Sequence, residues 1–186
     1  MRSRTPIIDT QRLALRAFEN DDAANIARLA GDFDVAKMTS SMPHPYPKLA
    51  AEGFIMLTEA GRARGKDMPF AITLPGEGLI GAAGFHAGAN DNWEFGYWIG
   101  KPFWGKGFAT EAAKALLGWW DDAMSARTVA ARRFFDNPAS GRVLEKVGFK
   151  PTGETLQLFS LARLAKIPSV DYIRGPEPDG FGIAAE

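Results

Sequence analysis

The sequence predicts an α+β fold in which flanking helices cover a central mixed, mostly antiparallel sheet. Three apolar segments, MPFAITL, LIGAAGFH and WEFGYWI, follow one another with only the turn signals PGEG and GAND between them, which is typical of antiparallel strands. Segments on both sides of this group carry apolar residues at helical spacing. A chain of 186 residues is long enough for one core and short for two. We therefore expect a single domain over residues 1–175 and a flexible tail over 176–186.

The N-terminal elements follow from alternation and capping signals. RLALRAF (Arg12–Phe18) alternates apolar and polar residues and predicts a strand. ENDDAANIARLAG predicts a helix with Asn20 or Asp21 as N-cap and Gly31 as its stop. MPHPYP predicts a loop, and a second helix is expected from about Leu49 to Ala63.

The C-terminal elements follow in the same way. A long helix after WGKG has an apolar stripe that consists of Ala109, Ala112, Ala113, Leu116, Leu117 and Trp120. TVAARRFF predicts a strand, NPASGRVLEKVGF a helix with Ser140 as N-cap and Gly148 as its stop, and TLQLFSLAR and SVDYIR two late strands. The spacing of the aromatic residues indicates core packing rather than a surface for stacking bases; these are Trp98, Trp104, Phe108, Trp119 and Trp120.

Composition excludes several classes of function. The chain has 22 Lys+Arg and 22 Asp+Glu, so its zero net charge argues against nucleic acid or an anionic membrane as partner, and Arg132–Arg133 is interpreted as a solvated strand end. The absence of cysteine excludes disulfides, thiolate metal sites and a cysteine nucleophile. The first residues lack the apolar run of a signal peptide, so we expect a cytoplasmic protein without a membrane span. We expect no metal site.

Gly105 and Gly107 lie between an expected apolar strand and an expected amphipathic helix, in the stretch WEFGYWIGKPFWGKGFATEAAKALLGWW. Glycine allows a ligand to approach the main chain closely. The start of a helix offers unpaired N–H groups and the positive end of a dipole, which suit an anion. The stretch therefore predicts a site for a phosphate.

Two phosphate-binding motifs fit poorly. A P-loop requires G-x-x-x-x-G-K-[ST], and no pair of glycines is followed by that ending. A dinucleotide fold requires G-x-G-x-x-G at the opening of a βαβ unit, but here Thr110 takes the third glycine position after three expected antiparallel strands. Asp136 lies rather far downstream to serve as the ribose-binding acid. A nucleotide-binding oxidoreductase is therefore a weak alternative.

Three blocks in the chain resemble the GNAT superfamily of N-acetyltransferases. Gly107 and Ala109 match the last two fixed positions of the family pattern Gln/Arg-x-x-Gly-x-Gly/Ala, and GYWIGKPFWGKGFATEA closely resembles the ribosomal-protein-alanine (RimJ/RimL-type) branch, where Trp is usual at position 104. The segment Asn137–Phe149 is similar to the family's Asn-x-x-Ala/Ser-x-x-x-Tyr/Leu-x-x-x-Gly-Phe helix, and TQRLALRAFENDDA to the branch's opening strand and helix. The resemblance extends from Thr10 to Arg174.

This resemblance implies the GNAT fold, with its sheet splayed around an acyl-CoA site, and acetyl-CoA as cosubstrate without a metal. The reaction it implies is direct transfer of acetyl, in a ternary complex, to a primary amine on a protein N-terminus or a small molecule, by a monomer or homodimer. Tyr97, Trp98 and Ile99 would run beside the pantetheine arm like an added strand, and the Asn137 amide would bind the cosubstrate. The pyrophosphate would lie against the turn formed by Trp104, Gly105, Lys106, Gly107, Phe108, Ala109 and Thr110.

Glu94 is the residue that we expect to act as general base, because it lies on the strand beside the cosubstrate and the family often has a carboxylate there. An α-amine has a pKa of roughly 8 and is already partly neutral at pH 7, so the reaction needs only modest help from a general base. The structural alternative for Glu94 is an exposed carboxylate paired with a lysine. His86 on the neighbouring strand is a second candidate for proton transfer, or a half-buried strand-end histidine.

The proton donor and the acceptor pocket are less determined. Many family members have a tyrosine acid where this chain has Leu144, so Ser140 would donate to the departing sulfur, unless it serves only as a helix cap. His44 and Tyr46 are expected to line the acceptor pocket together with His86, with a surface loop as the alternative for the first two. A non-catalytic acyl-CoA-binding or sensing module on the same fold is the remaining alternative.

Overall fold

The structure, a computed structural model, describes residues 5–88, 92–124 and 127–175. The predicted tail 176–186, and residues 89–91 of the expected GAND turn, lie outside the described residues. The described strands are β1 (Ile8–Asp9), β2 (Ala14–Arg16), β3 (Asp67–Leu74), β4 (Gly78–Ala87), β5 (Trp93–Ile99), β6 (Val129–Phe134), β7 (Lys150–Ser160) and β8 (Ala165–Arg174). The described helices are α1 (Asp22–Ala30), α2 (Phe33–Ala36), α3 (Lys48–Ala63), α4 (Phe108–Met124) and α5 (Pro138–Lys146), with one 3₁₀ turn at Lys101–Phe103.

These strands form one mixed sheet in the order β1-β2-β3-β4-β5-β6-β8-β7. Neighbours pair antiparallel except β5 and β6, which are parallel. The parallel register comprises Trp93↔Val129 and Glu94↔Ala130, beyond which the two strands diverge. The prediction of a mostly antiparallel, splayed sheet is therefore confirmed, and the splay lies between β5 and β6.

Helix α4 packs on one face of the sheet beside this splay. Its buried side chains include the predicted Ala112, Ala113, Leu116, Leu117 and Trp120, whereas Ala109 is half-buried. Trp120 stacks on Phe85 of β4 with 4.0 Å between ring centroids, and Phe85 in turn lies 5.4 Å from Phe95 of β5. This aromatic cluster excludes water from the sheet and fixes the strand that borders the splay.

Two predictions about the core and the caps are wrong. Trp104 is 44% exposed instead of buried, because it lies in the turn before α4, where its indole N–H donates to the carbonyl of Ile99 at 2.6 Å. Ser140 is not the N-cap of α5. Asn137 holds that position, and its Oδ1 accepts from the amide of Ser140 at 3.2 Å. The helix begins at Pro138, whose fixed φ suits the first helical position, so it starts earlier than the Ser140 signal suggested.

The remaining differences are in element boundaries. Strand β2 is shorter than the predicted Arg12–Phe18, α2 was not predicted, and Leu161–Leu164 form the β7–β8 turn instead of continuing the strand TLQLFSLAR. Asp21 is in the N-cap position of α1 without a side-chain cap hydrogen bond. Gly148 follows α5 with φ +94°, as the expected stop requires.

Candidate active site

The divergence of β5 from β6 opens a cleft with a volume of about 790 Å³. Its walls include β5 from Glu94 to Ile99, the end of β6 and the first turns of α5. A strand whose neighbour turns away has main-chain N–H and C=O groups free to pair with an extended ligand. Trp98 and Ile99 line the cleft but are only 8% and 6% exposed, so most of each residue packs in the core.

One end of the cleft is closed by the turn between the 3₁₀ segment and α4. Gly105 and Gly107 have φ of +75° and +80°, a region that favours glycine. A Cβ added at Gly105 would meet nothing within 4 Å, so the space above this turn is open. The turn leads directly into α4, whose first amide groups have no helical partner and favour an anion.

Arg12 braces this turn from the β1–β2 segment. Its Nη1 donates to the carbonyl of Lys106 at 3.0 Å, and its guanidinium lies 4.5 Å from the ring centroid of Phe108. Glu111 pairs with the same guanidinium at 2.6 Å and also accepts from the hydroxyl of Thr10 at 2.7 Å. These contacts fix the backbone of the turn before any ligand arrives.

The start of α5 forms the wall of the cleft that faces β5. Because the Oδ1 of Asn137 caps the helix, its amide nitrogen remains to donate to a ligand. The hydroxyl of Ser140 lies 2.9 Å from the hydroxyl of Tyr97, which also donates to the carbonyl of Ser140 at 3.3 Å. Burial raises the pKa of Tyr97 to about 12, so its phenol stays protonated at neutral pH. Arg142 and Lys146 of the same helix add positive charge to this wall.

Charged side chains cross the other end of the cleft. His86 pairs with Glu94 across β4 and β5, and the Nδ1 of His86 lies 2.8 Å from Asp67 Oδ1. Glu94 Oε2 lies 3.6 Å from Arg132 Nη1, so its ion-pair partner is an arginine and not the lysine considered in the alternative to the base role. Burial raises the pKa of Glu94, and the charges of Arg132 and His86 partly offset the rise. The side chain is nevertheless 42% exposed to the cleft, so water and ligands reach it.

A loop from Met38 to Tyr46 contributes to the cleft lining. Met38, Met42, Tyr46 and Phe54 supply a largely apolar wall. Hydrogen bonds tie the loop to the β7–β8 turn, because Leu161 N donates to the carbonyl of Ser40 at 2.9 Å and Arg163 Nε to that of Lys37 at 2.8 Å. These bonds hold the loop against the β7–β8 turn at the border of the cleft.

The structure brings most of the predicted residues into one cleft, whose lining includes Tyr46, His86, Glu94, Tyr97, Trp98, Ile99, Trp104, Gly105, Gly107, Phe108, Ala109, Thr110, Asn137 and Ser140. Lys106 and His44 are not among the described lining residues. Lys106 extends towards the Phe103 ring, and His44 is exposed, with its Nδ1 2.9 Å from the carbonyl of Gly31.

Sequence reasoning missed Arg132 and the Tyr97 hydroxyl. Arg132 was interpreted as a solvated strand end, yet it is only 15% exposed and lines the cleft. The alternation of TVAARRFF places Arg132 and Arg133 on opposite faces of the strand, but it does not indicate which of the two lies on the same face as Glu94. Within the described residues no group of three or more His, Asp or Glu side chains is placed to hold a metal, and no described helix has the length and apolarity needed to cross a bilayer.

Comparisons with known proteins agree with this geometry. Residues 12–150 match the family model described as acetyltransferase (GNAT) domain. The uncharacterized N-acetyltransferase YoaA of Bacillus subtilis (strain 168) is 30% identical over 151 residues, which are 80% of this chain and 85% of that protein.

Solved structures show the same fold at lower identity. An acetyltransferase from Salmonella typhimurium that modifies the N-terminal serine of ribosomal protein L7/L12 superposes with a TM-score of 0.78 at 18% identity, covering 92% of this chain and 100% of that one. The microcin C7 self-immunity acetyltransferase MccE, solved with acetyl-CoA and AMP, gives 0.76 at 19% identity, covering 89% and 93%.

The family match covers most of the chain, and the glycine turn, the splayed strands and the capped helix supply the parts that an acyl-CoA site requires. The chain therefore belongs to the GNAT family, and it is an acetyl-CoA-dependent N-acetyltransferase.

Proposed function

We propose that this enzyme moves an acetyl group directly to a primary amine that enters the cleft at the Glu94 end. The observation that carries the proposal is the position of Glu94. Its carboxylate lies at the last paired residue before β5 leaves β6, within one cleft whose far end is the open turn at Gly105 and Gly107. A proton acceptor and an anion site thus lie at opposite ends of a free strand edge.

Acetyl-CoA, when bound, supplies a thioester carbonyl for the amine to attack and a sulfur that departs with the electron pair. The amides of the turn from Gly105 to Thr110 would hold its pyrophosphate, helped by Arg142 and Lys146. The free edge of β5 from Tyr97 to Ile99 would pair with the pantetheine arm, and the Asn137 amide nitrogen would donate to it. The open space at Gly105 and the fixed backbone under Arg12 fit this group.

Glu94 would accept the proton that the amine loses. The raised pKa of this carboxyl brings it closer to that of an α-amine, and its exposed oxygens can take the proton directly or through water. His86 is the second candidate. Because Asp67 occupies its Nδ1, its Nε2 is the nitrogen left to exchange a proton with Glu94 or with water.

Ser140 would donate a proton to the departing sulfur. Asn137 caps α5, so the Ser140 hydroxyl is not needed for that purpose. When the single proton of the Tyr97 phenol is donated to Ser140 Oγ at 2.9 Å rather than to the Ser140 carbonyl at 3.3 Å, the proton of Ser140 is free to point into the cleft. Leu144 is 1% exposed and cannot donate, so this pair replaces the tyrosine found at that position elsewhere in the family.

The acceptor would be an amine on a slender, partly apolar carrier. The apolar residues Met38, Met42, Tyr46 and Phe54 line the same cleft as the carboxylate of Glu94, a combination that suits an amino terminus of a protein or a small-molecule amine. The L7/L12-modifying relative from Salmonella supports the first of these, and a screen that includes both classes separates them.

The test is a screen of amines for acetyl-dependent release of CoA thiol. The chain contains no cysteine, so a thiol reagent reports only the product. Peptides with free N-termini, the same peptides with blocked N-termini, amino acids and polyamines form the panel. We expect turnover with at least one unblocked amine. Binding of acetyl-CoA without turnover of any amine would reject the proposed transfer.

A further inference from the structure

A row of ionisable side chains crosses five strands on the cleft face of the sheet. Antiparallel register pairs Asp67 with His86 and His86 with Glu94, so these three point to the same face. The parallel register pairs Glu94 with Ala130, and Arg132 follows on that face two residues later. Arg132 in turn pairs with Asp171 of β8.

Asp171 is a fully buried carboxylate at the end of this row. It is 0% exposed, and neither carboxylate oxygen has a hydrogen-bond partner among the described residues. Its ion-pair partner is Arg132, whose Nε lies 3.6 Å from Asp171 Oδ1. A buried charge without a partner is strongly destabilising, so the pair holds the Arg132 guanidinium in place.

The same guanidinium reaches Glu94 with its other end. Arg132 Nη1 lies 3.6 Å from Glu94 Oε2, within ion-pair range but longer than a hydrogen bond. The positive charge therefore stabilises the ionised carboxylate of Glu94, while its oxygens remain able to accept hydrogen bonds from water or an incoming amine. An arginine fixed on one side by a buried carboxylate cannot turn away from the cleft as a surface arginine would.

We propose that Arg132, anchored by Asp171, is a positioning residue that keeps the carboxylate of Glu94 ionised and oriented at the acceptor end of the cleft. The inference rests on the proposed role of Glu94 as proton acceptor. It assigns a function to the buried pair, whose unsatisfied atoms the fold alone does not explain.

The groups that face Glu94 shift its pKa in opposite directions, and Arg132 has the largest effect among the charges. Burial raises the pKa of Glu94, Arg132 and then His86 lower it, and Asp171 raises it. Asp67 faces His86 from β3, and Glu154 of β7 acts on Asp171. Without Arg132 the carboxyl would hold its proton to higher pH, because the largest opposing charge is gone.

The test is a direct titration of Glu94 by NMR in protein labelled with ¹³C at the glutamate side-chain carboxyl, without any ligand. The Glu94 resonance is identified by its absence in Glu94→Gln. In Arg132→Gln we expect its apparent pKa to rise by about one unit. Arg132→Lys, which keeps the charge, should move it less. Arg133→Gln is the matched control, because Arg133 lies on the opposite face of β6 from Arg132 and donates to Tyr172 Oη and to the carbonyls of Phe134 and Phe135. An unchanged Glu94 titration in Arg132→Gln, or an equal shift in Arg133→Gln, would overturn the inference.

Arg132→Gln leaves Asp171 buried without a partner, so a second variant guards against loss of the fold. Arg132→Gln/Asp171→Asn removes both charges, and the apparent pKa of Glu94 should still rise because the Arg132 effect is the larger. The acid limb of the kcat/KM pH profile should move with the NMR value. If the resonance shifts and the limb does not, Arg132 still controls Glu94, and the base role of Glu94 is rejected instead.

Discussion

The hydroxyl of Tyr97 on β5 lies 2.9 Å from the hydroxyl of Ser140 on α5, across the mouth of the splay. This contact joins the strand edge that would bind the pantetheine arm to the residue that would protonate the departing sulfur. Two roles are possible for Ser140, helix cap and proton donor. Because Asn137 provides the helix cap, the hydroxyl of Ser140 is left for proton donation.

Ser140→Ala should therefore impair turnover without unfolding α5. If Ser140 donates the proton, kcat should fall about 10²-fold or more, the lower range for losing general-acid help. Tyr97→Phe should lower kcat about fivefold, since one hydrogen bond of roughly 1 kcal/mol that orients Ser140 is lost. Ser140→Thr, which keeps a hydroxyl, is the control. Steady-state kinetics beside circular dichroism would measure both, and wild-type kcat in Ser140→Ala would leave the sulfur to be protonated by solvent.

Glu94→Gln keeps the shape of the side chain but cannot accept a proton. We expect turnover near neutral pH to fall about 10²–10⁴-fold, with acetyl-CoA affinity nearly unchanged. The loss should shrink above about pH 8, the pKa of an α-amine, because the substrate then arrives neutral. Glu77→Gln, in the exposed β3–β4 turn, is the matched control. A Glu94→Gln enzyme as fast as the wild type would move the proton acceptor to His86 or water.

Gly107→Val should abolish binding of acetyl-CoA. Its φ of +80° is unfavourable for a side chain, and a branched one would also fill the space where the ligand approaches the backbone. Gly118→Ala in the exposed face of α4 is the control, since a Cβ there meets nothing within 4 Å. Calorimetry that finds wild-type affinity in folded Gly107→Val would show that the anion binds elsewhere.

Asn137→Ala removes both a helix cap and a proposed donor to the ligand. The cap should cost about 1 kcal/mol of unfolding free energy, and acetyl-CoA affinity should weaken by about 1–2 kcal/mol. Asn137→Asp distinguishes the two effects, because it can still cap α5 but has no amide to donate. Stability restored in Asn137→Asp with affinity still reduced is the expected result. Full affinity in both variants would limit Asn137 to the cap.

Asp121 should make stability depend on pH at the acid end. Arg174 holds it with two hydrogen bonds of 2.7 and 2.6 Å, which lower its pKa. A lowered folded-state pKa stabilises the protein above the unfolded value of about 3.9, and this stabilisation is lost as pH falls through the folded value. Asp121→Asn should thus cost about 1 kcal/mol at pH 7, and the difference should disappear at acid pH. Denaturant titrations beside the exposed Asp122→Asn would show it, and a difference that persists at acid pH would contradict this account.

Sequence patterns predicted the elements whose cause is local. The strand–glycine turn–helix segment was predicted because Gly105 and Gly107 stand between two clear periodicities, and both have positive φ. The stop at Gly148 was predicted for the same reason. Trp104 was placed wrongly in the core because the spacing of the aromatic residues indicated core packing, whereas the turn exposes 44% of it. Helix α2, with four residues, is too short to show a helical period.

By itself, the sequence determined the family, the glycine turn proposed to bind an anion and the candidates Glu94, Ser140 and Asn137, since each depends on residues close together in the chain. Only the tertiary structure decided that Arg132 faces Glu94, that Asp171 is buried behind it and that Tyr97 reaches Ser140. Alternation along a strand divides its side chains between two faces, but it does not specify the neighbouring strand or the register. The pairing of β5 with β6 and of β6 with β8 joins residues far apart in the sequence, and packing of the whole sheet fixes it.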